Sequence, residues 1–105
     1  MKRVEQAEQL DKAIAGKKAV VLFHATWCPF CRAFWPVFER ATAGKKLAAI
    51  EAVIDDEDNE LWAKYDLEVV PAVLFFEGGK VVRRLDGQPG VGLTEADLSE
   101  ALQKV

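Results

Sequence analysis

Five apolar residues in a row, Ala19-Val20-Val21-Leu22-Phe23, stand between Lys17-Lys18 and the segment His24-Ala25-Thr26-Trp27-Cys28-Pro29-Phe30-Cys31. The run is far shorter than the roughly 20 residues a membrane-spanning helix needs. An unbroken apolar stretch of this length is the pattern of a strand covered on both faces, so a central strand is expected. Beyond it, Ala33, Phe34, Val37, Phe38 and Ala41 recur at helical spacing up to Gly44, which puts the cysteines at the opening of a helix. A buried strand that feeds directly into a helix points to an α/β architecture.

The remaining segments continue the alternation. Ala7, Leu10 and Ile14 predict a first helix over about residues 5 to 15, ended by Gly16 and the lysines after it. Leu47 to Ile54 reads as another strand, and Leu61, Trp62 and Tyr65 place an apolar stripe on a short helix after the acidic run Asp55 to Asp58. Ala72 to Phe76 and Val81 to Leu85 flank Gly78-Gly79, a pair suited to a tight turn, so these strands are expected to be antiparallel. Thr94 and Asp97 form a capping-box-like start across which Leu93 can staple against Leu98. The last helix is expected to turn Leu98, Ala101, Leu102 and Val105 inward. No repeat or Pro/Ser-rich linker interrupts the series, and 105 residues are in the ordinary range for one domain, residues 1–105.

Charge narrows the partners. Fourteen basic against 17 acidic residues give a formal net charge of -3, so no basic field exists to hold a phosphate backbone, and nucleic acid is not expected. No segment is expected to enter a membrane. Met1 to Leu10 lacks the apolar core of a secretory signal, so a cytoplasmic location and a monomeric state are the expectations.

Cys28 and Cys31 are the only thiols, three apart. That is no disulfide framework. At a helix start the first sulfur meets unpaired backbone N–H groups and the positive end of the helix dipole, which stabilise a thiolate. Cys28 is therefore the expected nucleophile. Cys31, one turn on and deeper, is the expected resolving thiol. Pro29 suits the first helical turn because its missing N–H costs nothing there, and Phe30 offers an apolar edge between the sulfurs. A closed tetrahedral metal site needs about four ligands and the chain has only one histidine besides, so no intrachain metal is expected. A cluster shared between two copies is chemically conceivable but disfavoured. His24, whose ordinary pKa lies near neutrality, is a candidate proton relay, with simple packing as the plainer reading. Trp35 and Trp62 read as packing residues, the acidic run as capping and dipole chemistry, and Gly87, Gly90 and Gly92 as a turn bordering a groove rather than a phosphate loop.

The segment Phe23-His24-Ala25-Thr26-Trp27-Cys28-Pro29-Phe30-Cys31-Arg32 through Pro36 resembles the active-site segment of thioredoxins. Val70-Pro71 before a strand, the Gly78-Gly79 hairpin, Gly87 and the terminal helix follow in family order. The resemblance implies the thioredoxin fold, a mixed central β-sheet of four or five strands flanked by about four helices, with Pro71 in a cis peptide beside the cysteines and Pro36 kinking the second helix. It implies a thiol-disulfide oxidoreductase that reduces protein disulfides and is itself renewed by an external reductase or thiol donor. No cofactor is implied beyond the redox-active Cys28–Cys31 disulfide. Trp27 would border the sulfurs, and Val70 and Pro71 would offer backbone groups to an extended substrate. The family's buried acid falls at Leu22, so proton transfer from Cys31 must use water or another group. Pro29-Phe30 is similar to the glutaredoxin dipeptide and opens a glutathione-coupled alternative, against which the segment after Pro71 lacks the glutaredoxin Gly-Gly-x-Asp helix start. A non-catalytic binding module using the same groove is the rival from another class.

Overall fold

The computed structural model describes all 105 residues. Nine elements follow in order: β1 (Lys2–Val4), α1 (Ala7–Ile14), β2 (Lys18–His24), α2 (Pro29–Thr42), β3 (Ala48–Val53), α3 (Glu60–Lys64), β4 (Ala72–Glu77), β5 (Lys80–Asp86) and α4 (Glu95–Gln103). The five strands form one sheet in the order β1-β3-β2-β4-β5. β1, β3 and β2 run parallel, whereas β4 is antiparallel to β2 and to β5.

β2 holds the centre, as its apolar run requires. From Ala19 to His24 every residue is buried, because helices cover both faces. On one face Val21, Phe23, Ile50 and Leu74 pack against Leu10 and Ile14 of α1 and Leu61 of α3. On the other, Val20, Leu22, Val73 and Phe75 meet Phe34 and Phe38 of α2 and Leu98 of α4. Alternate residues of one strand thus serve opposite layers.

The hairpin turns through Gly78 and Gly79, both at positive φ. Thr94 and Asp97 form the expected capping box, and Leu93 packs in the same cluster as Leu98. One strand went unpredicted, and one expectation needs correction. β1 was not foreseen: three residues among charges carry too little periodicity, and the strand exists through its parallel pairing with β3. Val105 is 41% exposed rather than inward, since α4 ends at Gln103 and the chain leaves the packed layer.

α2 begins with Pro29 in its first turn and continues through Pro36 to Thr42. Because β2 is central and α2 follows it directly, the cysteines sit beyond the carboxyl end of the sheet's middle strand, the usual place for a site in an open α/β sheet.

Candidate functional site

Cys28 is the N-cap of α2. Its backbone is extended, and its sulfur accepts the Cys31 N–H at 3.3 Å. That bond satisfies one of the orphan amides at a helix start. The Cys28 thiol also approaches the Val70 carbonyl at 3.7 Å, so the loop before β4 reaches the site. Both cysteines are free thiols. They differ in depth, since Cys28 retains 6% of its surface and Cys31 none. Burial pushes the Cys31 thiol up to about 12, against a backbone hydrogen bond from Ala25 that pulls the other way.

The approach to the sulfurs is held by Asp55, just past β3. Its carboxylate accepts the Thr26 N–H at 2.7 Å and the Thr26 hydroxyl at 2.5 Å, while its carbonyl accepts Trp27 Nε1 at 3.0 Å. The two Thr26 bonds hold the Asp55 carboxyl below the usual carboxylate range. Arg32 donates to the Thr26 carbonyl from the first turns of α2. With its indole N–H anchored, Trp27 remains 53% exposed beside the cysteines, and Phe30 is 42% exposed.

The Val70–Pro71 peptide is cis. Val70 is half-buried and packs on the Ala25, Cys28 and Cys31 cluster. Pro71 is buried, and its carbonyl accepts the Gly87 N–H at 3.0 Å, so that carbonyl is already occupied within the chain. The glycine turn borders the same place: a Cβ on Gly87 would lie 2.7 Å from the Pro71 oxygen, and one on Gly92 would lie 3.1 Å from Phe30 Cβ. The structure therefore brings Trp27, Cys28, Pro29, Phe30, Cys31, Val70 and Pro71 to one end of the sheet.

Trp62 and Trp35 pack as expected, and each also uses its indole N–H. Trp62 donates to the Asp56 carbonyl at 3.1 Å, and Trp35 donates to the Glu51 carboxylate. The N-cap of α3 is Asn59, not a member of the acidic run. No helix is long and apolar enough to cross a membrane, and no group of three or more His, Cys, Asp and Glu side chains could hold a metal ion.

Leu22 is fully buried and apolar, as read from the sequence. A carboxylate nevertheless lies beside it, because Glu51 is its register partner on β3 and is only 7% exposed. His24 is 8% exposed, with Nε2 3.9 Å from Glu51. Sequence reasoning missed Glu51. The available signal was one acid inside the otherwise apolar stretch Leu47 to Ile54, where a buried charge demands a reason.

A family model described as Thioredoxin matches residues 2–104. The chain is 34% identical over 88 residues to a thioredoxin of Mycoplasmoides gallisepticum, covering 83% of this chain and 88% of that one. It is 29% identical to a Mycobacterium leprae protein named bifunctional thioredoxin reductase/thioredoxin, over 88% of this chain and 20% of that one. The X-ray structure of Fasciola hepatica thioredoxin superposes with a TM-score of 0.84 at 30% identity, covering 99% of this chain and 98% of that one.

Proposed function

This chain belongs to the thioredoxin family and is a thiol-disulfide oxidoreductase, and we propose that it reduces protein disulfides with Cys28 as the attacking thiol and Cys31 as the resolving one. The observation that carries this order is the asymmetry of the pair. Cys28 caps α2 at the mouth of the site and accepts an amide hydrogen bond that becomes charge-assisted once the sulfur is a thiolate, while Cys31 is enclosed and its thiol is held protonated.

In the first step the Cys28 thiolate attacks one sulfur of the substrate. The substrate S–S bond breaks, a Cys28–substrate disulfide forms, and the first substrate thiolate departs with the electron pair. In the second, Cys31 loses its proton and attacks the Cys28 sulfur, expelling the other substrate thiolate. The substrate gains two electrons and Cys28–Cys31 becomes a disulfide. Trp27, Pro29, Phe30 and Val70 rim the approach, and their exposed apolar area suits an extended polypeptide. Pro71 supports that rim from below.

Renewal requires an external thiol donor or reductase, and the Mycobacterium leprae relative, named as a reductase and a thioredoxin in one chain, supports the latter. A reductase role fits a cytoplasmic monomer, since reducing compartments keep thiols free. The order of attack is tested by Cys31→Ser, which is expected to accumulate substrates as mixed disulfides on Cys28. Absence of any adduct on Cys28 would contradict it.

A further inference from the structure

His24 and Glu51 are two titratable side chains buried side by side, and the two steps above use neither. His24 Nε2 is the buried side-chain polar atom that lacks any hydrogen-bond partner, at 3.9 Å from Glu51 Oε2. An orphaned buried imidazole nitrogen is costly, so its retention calls for a reason.

Two links join the pair to the segments that carry the thiols. Glu51 accepts from Trp35, one turn beyond Cys31 on α2. His24 precedes Ala25, whose backbone bonds the Cys31 sulfur and whose carbonyl accepts the Cys28 N–H. We propose that His24 and Glu51 form a buried proton-holding pair that receives the proton leaving Cys31 as the second step closes the Cys28–Cys31 disulfide. This rests on the assignment of Cys31 as the resolving thiol. The Cys31 S–H bond breaks, its electron pair forms the new S–S bond, and its proton rests on His24 beside the Glu51 carboxylate until it passes to the departing thiolate or to water. A thiol held near 12 needs such an acceptor at neutral pH. The charged groups acting on His24 are Glu51 from β3, Arg3 from β1 and Asp55 from the segment after β3, with Arg3 also 3.9 Å from Glu51. Burial lowers the His24 pKa and Glu51 raises it, which favours an imidazole free to accept.

Mixing the reduced protein with excess small-molecule disulfide between pH 5 and 9, with acid quench and mass analysis, separates mixed-disulfide formation on Cys28 from its resolution. Glu51→Gln keeps an oxygen for Trp35, and His24→Asn is the second variant. Each is expected to slow resolution at pH 6 by at least about tenfold, toward the range of positioned proton acceptors. Formation is expected to be unchanged, and the deficit in resolution to narrow steadily from pH 6 to pH 9 as hydroxide takes over as proton acceptor. Resolution equal to the parent at every pH, or slowed equally at every pH, would overturn the pair. A parent chain that forms no Cys28 adduct would overturn the order of attack itself.

Discussion

The Asp55 carboxylate holds Thr26 by both of its oxygens, one on the backbone N–H at 2.7 Å and one on the hydroxyl at 2.5 Å. This ties the end of β3 to the turn carrying Trp27 and Cys28, so a side chain outside the thiol pair sets where the pair begins. Asp55→Ala is expected to cost no more than about 1 kcal/mol at neutral pH, because the site is exposed and water replaces both bonds. The Asp55 pKa is depressed in the fold, so its contribution is present above the ordinary value of 3.8 and is lost as pH falls through the folded value. Urea denaturation of parent and variant at pH 7 and pH 3 is expected to show the gap at pH 7 and its narrowing at pH 3.

The thiols should separate cleanly by reactivity. Cys31 is enclosed and raised to about 12, whereas Cys28 lies at the mouth of the site. Limiting iodoacetamide at pH 7 to the reduced protein is expected to give one adduct, and peptide mapping to place it on Cys28. Labelling of Cys31 first would reverse the assigned roles.

Gly87 is fixed by contact rather than by φ. A methyl group there would sit 2.7 Å from the Pro71 carbonyl oxygen, a backbone atom that cannot rotate away. Gly87→Ala is expected to destabilise the fold by about 1–3 kcal/mol, as overpacking does, and to slow disulfide reduction by displacing Val70 from the Cys28 sulfur. Thermal unfolding and an insulin-reduction assay check the two effects together.

The buried histidine gives a second pH signature. His24 has its pKa lowered below 6.5 by burial, so between the folded value and 6.5 the unfolded chain binds the proton that the native chain refuses. Stability is therefore expected to fall as pH drops below about 6.5. His24→Gln should flatten that segment of the curve, as read by denaturant midpoints between pH 5 and 7.

Much of this molecule was legible because its signals are local. The apolar run of β2, the helical spacing from Ala33 to Ala41, the Gly78-Gly79 turn and the Thr94 cap each act within one element. Cys28 and Cys31 were legible for the same reason, since the chemistry of a helix start is encoded in four consecutive residues. What escaped depends on pairing between distant segments. β1 exists through contact with β3, and Glu51 matters because β3 lies beside His24 and Leu22. From sequence, Leu22 implied a site without a carboxylate; the sheet supplies one from the neighbouring strand. Trp35 read as packing, and its indole N–H was given meaning only by the acid it meets.

The proposed chemistry requires Cys28 and Cys31 to interconvert between a dithiol and an intrachain disulfide. Equilibrating the protein across graded thiol-disulfide buffers, with thiol alkylation read by mass and Trp27 fluorescence followed in parallel, tests it most directly. One two-electron transition is expected, in which both thiols disappear together, and it is expected to be lost in Cys28→Ser. Two thiols that stay alkylatable across the whole range, or that vanish singly as adducts with the buffer thiol, would contradict it.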